Sequence, residues 1–401
     1  MRIELPANIT WIIERLESCG FEGYAVGGCV RDSLLGREIH DWDIASSAAP
    51  EQLRGCFPGE TLIPTGERHG TMTLIADGEP VEITTFRIDC GYSDGRRPDG
   101  VCFARRIGDD LARRDFTINA MAYSPRAGIL DLFGGRNDIG ARVLRCVGEP
   151  EKRFEEDALR MLRAFRFYAK LQATDGRRFA IEPETLAAIK RCAPGIGRVS
   201  AERINAELCG ILLSERAYET LRLMTECGIW RSVRGIERDI LPPEGLDAAP
   251  QEVAARMAAL LAGYGVDAAA EMAAALRFRN ADIARIRGLI SGFSADISED
   301  YALLSLANRL GAADARTLLD TRAALGEGAV SEACRRFEAL MDSGRCWSLD
   351  KLAVNGGDMA ELGFRGRRIG AVLRLLLNEV MRGAPNEREY LINLAIKLKA
   401  P

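Results

Sequence analysis

The chain has 401 residues, of which 47% are apolar, 28% charged and 6% aromatic, with a formal charge of −4; this excludes a single small module and a uniformly basic coat for nucleic acid. Eleven cysteines show no C-x-x-C spacing, no signal peptide precedes them, and no apolar run reaches the ~20 residues a bilayer requires, so a reduced, soluble, cytoplasmic protein of two to four compact units is expected, with no membrane partner. Only two histidines occur, His40 and His69, too few for a histidine metal cage or a Ser-His-Asp triad, which leaves carboxylates and arginines to carry the chemistry.

The first 145 residues mix short β-rich runs with turns, whereas nearly everything after Glu149 has helical periodicity, predicting an α/β head and an all-helical remainder. Strands are expected at Tyr24 to Val30, ending in a Gly-Gly turn, and at Asp41 to Ala45. A hairpin of Gly70 to Ala76 and Val81 to Arg87 is expected, joined by Asp77-Gly78-Glu79-Pro80. The Gly-, Pro- and Arg-rich stretch from Gly91 to Gly108 reads as a mobile loop. Breaks at Ala193-Pro194-Gly195, Leu241 to Gly245 and Ser343-Gly344 divide the helical part. Charge is uneven along it: Ile236 to Asp300 holds 6 basic and 11 acidic residues, and Lys351 to Pro401 holds 9 basic and 5 acidic, a local excess of +4.

Asp41-Trp42-Asp43-Ile44 is the first candidate constellation. On a strand the two aspartates would project from one face about 7 Å apart while Trp42 and Ile44 turn inward. Two like charges so placed call for a divalent cation, and oxygen ligands with room for water and phosphate suit Mg2+. Upstream, Gly27-Gly28-Cys29-Val30-Arg31-Asp32 sets two glycines before a short helix, where backbone amides and Arg31 can meet a phosphate. Downstream, Val81-Glu82-Ile83 places a third acid between apolar residues, on a strand able to pair beside the first. A Gly-Gly turn, paired aspartates and a later apolar-acid-apolar strand resemble the palm of the polymerase-beta-like nucleotidyltransferases. That resemblance implies that Asp41 and Asp43 bridge two metal ions, with Glu82 either a third ligand or a group acting on a 3′-hydroxyl.

Arg113-Arg114-Asp115-Phe116 offers Arg114 to a phosphate and Asp115 to a ribose hydroxyl. From Glu156 to Arg166 the sequence predicts a helix whose packed half holds Ala158, Leu159, Met161, Leu162, Phe165 and Ala169. Its other half carries an oblique ladder of Asp157, Arg160, Arg163 and Arg166. Arginine without lysine favours planar recognition. A carboxylate can accept the amino proton of cytosine or adenine while a guanidinium donates to the adjacent ring nitrogen. Uracil and guanine reverse that order and leave a charge unpaired, at about 1 to 3 kcal/mol per mismatch. Asp157 and Arg160 thus form a base selector made of protein, with Arg163 and Arg166 holding base or triphosphate.

The ordered motifs GGCVRDSLLG with DWD, RRDFTINAMAY, DLFGGRNDI, EDALRMLRAFRF and RINAEL span residues 24 to 208 and, with the tail KLAVNGGDMAELGFRGRRIG, resemble the class II tRNA nucleotidyltransferases, the CCA-adding enzymes, and the related poly(A) polymerases. The resemblance implies an α+β polymerase-beta-like nucleotidyltransferase head (1–145), followed by an all-helical neck (146–235), body (236–342) and tRNA-binding tail (343–401) in an elongated molecule. It implies nucleotide contacts from Gly27, Gly28, Arg31, Arg114, Asp115, Asp157, Arg160, Arg163 and Arg166, with Mg2+ as cofactor and tRNA, ATP and CTP as partners. The stretch Thr65 to Thr71 followed by Glu82 to Arg87 is nearer the CCA-type pattern than the poly(A) polymerase one. A loop retained at Asp94 to Phe103 implies addition of the final A. Open alternatives are an A-adding member of a split CC/A pair, a poly(A) polymerase, and, from a different class, a non-catalytic RNA-binding protein.

Overall fold

The computed structural model describes residues 2–39, 41–90, 100–172 and 176–399, which gather into two compact units, Met1–Ile211 with Leu223–Asp239, and Leu212–Arg222 with Ile240–Pro401. In chain order the first unit runs α1 (Ala7–Ser18), β1 (Gly23–Val26), α2 (Gly28–Leu35), β2 (Asp43–Ser46), α3 (Pro50–Cys56), β3 (Thr61–Gly66), β4 (Thr71–Ala76), β5 (Glu79–Thr85), β6 (Arg87–Cys90), β7 (Gly100–Phe103), α4 (Ile107–Ala112), β8 (Met121–Ser124), β9 (Gly128–Asp131), α5 (Gly135–Ala141), β10 (Val143–Leu144), α6 (Pro150–Glu156), α7 (Leu159–Lys170), β11 (Ala180–Ile181), α8 (Pro183–Cys192) and α9 (Ala201–Leu212). The head is a seven-stranded sheet in the order β3-β4-β5-β2-β1-β8-β9. The fold is mixed, with this sheet in the head and helices dominating the remainder.

The apolar spacing of α1 explains how the sheet is covered. Ile9, Ile12, Ile13 and Leu16 recur at helical intervals and are all at most 1% exposed, meeting Ile44, Met72, Leu74, Val81 and Ile83 in one core. Each such side chain contributes roughly 2 kcal/mol by leaving water. Val26, Ala45 and Ala122 belong instead to the opposite face, packed with Ile107 and Leu111 of α4. Since side chains alternate along a strand, Asp43 shares the face of Ala45, the one α4 covers.

Several boundaries differ from those read in the sequence. The first strand stops at Val26, because Gly27 adopts φ 75 and ψ −122 and α2 begins at once. The second starts only at Asp43, so Asp41 lies ahead of it in irregular chain rather than on the strand. In the hairpin the turn is Asp77-Gly78 alone, with φ 52 and 82; Glu79 and Pro80 already pair with Ala76 and Ile75. Two positive-φ residues match the right-handed strand twist, a job an Asp-Gly pair does at little cost. The expected mobile loop from Gly91 to Gly108 contains β7, paired antiparallel with β6, and the start of α4; residues 91–99, with most of the loop read at Asp94 to Phe103, lie outside the described residues. Among the described residues nine cysteines are free thiols, whereas Cys102 is disulfide-bonded, so the reading of an entirely reduced chain fails there. No described helix is long and apolar enough to cross a membrane.

The second unit is helical: the end of α9 and the start of α10 (Ala217–Glu226), then α11 (Val253–Leu261), α12 (Val266–Ala275), α13 (Asn280–Gly292), α14 (Asp300–Leu310), α15 (Ala312–Ala324), α16 (Val330–Asp342), α17 (Gly356–Glu361), α18 (Arg367–Met381) and α19 (Arg388–Lys397). Helix α17 opens on a capping box: Asn355 accepts from the amides of Gly357 and Asp358, and Asp358 accepts the Asn355 amide. Arg388 of α19 then donates to Asp358 at 2.6 Å, tying the last helix to this turn.

Candidate active site

Asp43 and Glu82 are built into position by strand pairing. Strand β2 runs parallel to β5 with Asp43 opposite Glu82 and Ile44 opposite Ile83, so burying the two isoleucines in one core forces both acids onto the other face. Asp43 is exposed to a cavity, and desolvation by the cavity wall pushes its carboxyl up. Arg114 opposes that shift, and the neighbouring charges of Glu82 and Asp41 add to it. Neighbouring carboxylates of this kind are hard oxygen donors, the chemistry a divalent cation takes. The fit is open rather than caged: among the described residues no three His, Cys, Asp or Glu side chains are grouped as a formed metal site. Cys29, beneath the acids, is pushed up to about 11 by burial and stays a thiol.

The Gly-Gly turn divides its labour. Gly27 needs its positive φ, and a Cβ there would meet Nη1 of Arg114 at 2.6 Å. Its amide donates to the Met121 carbonyl, so the amides opening α2 belong to Gly28 and Cys29, and Gly27 serves the cavity by admitting an arginine. At Gly28 an added Cβ would meet nothing closer than Arg31 at 3.7 Å. Arg31 is buried and braced: Nε and Nη2 donate to Asp32 at 3.0 and 2.7 Å, and Nη1 donates to Asn119 at 2.7 Å.

The helix carrying the ladder is interrupted, contrary to the sequence reading. Helix α6 ends at Glu156, Asp157 is extended at φ −146 and ψ 103, and α7 starts at Leu159. The cause is local: the Asp157 carboxylate accepts the Leu159 amide at 3.0 Å, the kind of bond that makes aspartate a helix starter. Arg203 of α9 grips the same carboxylate with two donors, at 2.7 and 3.3 Å. Arg160 is only 8% exposed; it donates to Glu156, to the Arg153 carbonyl at 3.0 Å and to the Arg113 carbonyl at 2.9 Å. The expected ladder is therefore a braced edge across a helix break, with the expected apolar half of α7 buried behind it.

Further along α7, Arg163 donates to Asp115 at 2.7 Å and Arg166 to Glu207 of α9 at 2.5 Å. Asp115 also accepts the Phe116 amide at 2.8 Å and the Asn119 side chain at 3.1 Å. Burial would raise this carboxyl, but Arg163 and these bonds hold it down at about 2. The guanidiniums of Arg31, Arg163 and Arg166 all lie over the Phe167 ring, at 5.3, 5.4 and 4.6 Å, which orders three like charges on one apolar plate.

One cavity of about 900 Å³ brings these groups together. Gly27, Gly28, Arg31, Asp41, Asp43, Glu82, Arg114, Asp115, Asp157, Arg160, Arg163 and Arg166 all line it. Among the described residues nine arginines and no lysine line its walls, which suits forked contacts to phosphate oxygens and base edges. Sequence reasoning gave no role to Asp110, Asn119, Phe167, Arg203 and Glu207. A usable signal was present for most: Asp110 stands three and four residues before Arg113 and Arg114, and Arg203 and Glu207 are four apart on one helix, facing the same way. For Phe167 no signal distinguishes it from the core Phe165 two residues earlier.

Comparison with known proteins finds a poly A polymerase head domain over residues 23–145 and a probable RNA and SrmB- binding site of polymerase A over residues 178–236. The CCA-adding enzyme of Leuconostoc mesenteroides subsp. mesenteroides is 47% identical over 212 residues, covering 53% of this chain and 51% of the relative. That of Lactobacillus delbrueckii subsp. bulgaricus is 39% identical over 287 residues, covering 70% of each. The chain thus spans about half the length of the first of these relatives and more than two thirds of the second. The crystal structure of the Bacillus stearothermophilus CCA-adding enzyme in complex with CTP superposes with a TM-score of 0.81 at 31% identity, covering 98% of this chain and 96% of that one.

Proposed function

The chain belongs to the family of CCA-adding enzymes and poly(A) polymerases, and on that premise we propose that it adds and repairs the 3′-terminal CCA of tRNA without a nucleic-acid template, using CTP and ATP and releasing pyrophosphate in the cytoplasm. The observation that carries this reading is the single cavity lined at once by Asp41, Asp43 and Glu82 and by Asp157 and Arg160. A phosphate end and a base end share one space, as transfer to a chosen nucleotide requires.

In this reading Asp41 and Asp43 hold Mg2+, with Glu82 beside them. When bound, the cation neutralises charge on the triphosphate and sharpens the attacking 3′-hydroxyl. The rest falls to the chain's own side chains. Arg114, seated on Gly27, presents its guanidinium to phosphate oxygens, and Arg31 and Arg163 add positive charge around it. Among the described residues Asp115 Oδ2 accepts from Arg163 alone, which leaves a lone pair for a ribose hydroxyl. Asp157 accepts from the amino group of cytosine or adenine while Arg160 donates to the ring nitrogen, and Arg163 and Arg166 flank them. Arg203 and Glu156 hold the two selectors at fixed positions. We assign residues 1–145 to the catalytic head, 146–235 to the neck that reads the base, 236–342 to a body and 343–401, with its +4 excess, to tRNA contact.

Incubation with tRNA ending at the discriminator base, with CTP and ATP supplied separately and together, tests the reading. CC from CTP alone and CCA from both is the expected result. Addition of A to a CC end but no C to a bare end would assign the chain to a split CC/A pair, long A tracts would make it a poly(A) polymerase, and RNA binding without any incorporation would make it a non-catalytic binder.

A further inference from the structure

Asp110 on α4 is 1% exposed, and both its oxygens are occupied by arginines of the next turn. Oδ1 accepts from Nε and Nη2 of Arg113 at 3.0 and 2.7 Å, and Oδ2 accepts from Nη2 of Arg114 at 3.1 Å. A carboxylate taken from water needs such compensation, which a solvated ion pair on a helix surface does not. The two arginines it holds lead to different ends of the cavity. Arg114 is held where its Nη1 fills the space a side chain on Gly27 would need. Arg113 is held so that its backbone carbonyl accepts from Nη2 of Arg160, the base-end guanidinium, at 2.9 Å.

We propose that Asp110 is a positioning residue for nucleotidyl transfer, a buried anchor that fixes the phosphate-binding arginine Arg114 relative to the base-reading arginine Arg160. The inference rests on the function proposed above and deepens it. A single carboxylate is suited to the task because it offers acceptors on two sides at once, whereas an amide would turn an N–H toward one of the two guanidiniums. Burial alone would raise the Asp110 carboxyl; Arg114 and Arg113 outweigh it and hold the group below the ordinary range, so it stays charged across the working pH.

The test is a double-mutant cycle read by equilibrium binding of CTP and of ATP to the full chain without tRNA, alongside steady-state kinetics. Asp110→Asn is expected to weaken both nucleotides by about tenfold, the loss of a charge-assisted bond, raising KM while kcat at saturation changes by less than about threefold. Asp110→Glu should recover part of the affinity. In an Arg114→Ala background the same change should cost less than about half as much, because one of the two arginines it acts through is gone. Wild-type affinity in Asp110→Asn, or an undiminished further loss in the Arg114→Ala background, overturns the proposal. Should Asp110→Asn fail to fold, Asp110→Glu takes its place in the cycle under the same criterion. Binding needs no turnover: coupling without CCA addition would sink the function reading alone, and CCA addition without coupling would sink this proposal alone.

Discussion

Arg203 holds Asp157 by two bonds, at 2.7 and 3.3 Å, from a helix 46 residues further along the chain. Asp157 sits at the gap between α6 and α7, where its amide still donates to the Arg153 carbonyl and its carbonyl accepts from the Arg160 amide. What Arg203 fixes is the carboxylate. Arg203→Ala should therefore raise misincorporation of U and G relative to C by about tenfold, on the scale of one mispaired polar group, while stability falls by about 1 kcal/mol or less because the pair is partly solvated. Competition assays with mixed nucleotides decide it: unchanged base choice in a folded Arg203→Ala protein would remove Arg203 from the selector.

The acid cluster trades stability for charge. Asp41→Ala and Asp43→Ala should each lower incorporation by three orders of magnitude or more, the usual scale for losing a ligand of a catalytic metal, with tRNA affinity within about twofold of wild type. Asp43→Asn should also melt no earlier than wild type, since it removes a desolvated charge facing Glu82 and Asp41. Primer extension, filter binding and calorimetry on the same preparations check all three; full activity in the double aspartate variant would end the metal assignment.

Acid stability should report on Asp115. Its carboxyl is held down at about 2 in the folded chain against an ordinary 3.8, so the folded state binds its proton less readily than the unfolded one. Its stabilisation, roughly 2 kcal/mol, is whole above pH about 4 and is lost as pH falls toward 2. Urea unfolding between pH 5 and 2 should show the decline, and Asp115→Asn should flatten it in part, with Asp110 and other carboxyls held low contributing in the same direction. An equally steep decline in Asp115→Asn would contradict this.

The two glycines of the turn should differ sharply. Gly27→Ala imposes both a left-handed backbone and a 2.6 Å contact with Arg114, costing on the order of 1–3 kcal/mol of stability and raising KM for both nucleotides as Arg114 is displaced. Gly28→Ala should be tolerated, since it begins a helix and meets nothing closer than 3.7 Å. Thermal melts and nucleotide titrations of the pair would refute the account if Gly28→Ala proved the more damaging.

Much of this was legible in the residues alone because the relevant forces are local. Alternation of Val81, Glu82 and Ile83 fixed which side chain leaves the core, the helical spacing of Arg160, Arg163 and Arg166 fixed a common edge, and the Asp-Gly pair fixed a turn. What the sequence misjudged were points where local chemistry breaks a regular backbone: the Asp157 carboxylate ends a helix that periodicity would have continued, and the positive φ of Gly27 ends a strand that apolar content would have extended to Val30.

The order of motifs and the chemistry of their side chains, carboxylates and arginines with almost no histidine, thus sufficed by themselves to expect an acidic cluster and a charged selector. Only the tertiary structure decided which partners hold them: that Asp43 lies opposite Glu82 in a parallel register, that Arg203 braces Asp157, and that Asp110 ties Arg113 to Arg114. Periodicity records which face of an element is apolar, but the charge that meets a given carboxylate arrives from elsewhere in the chain and is chosen by how the elements pack, which no local pattern encodes.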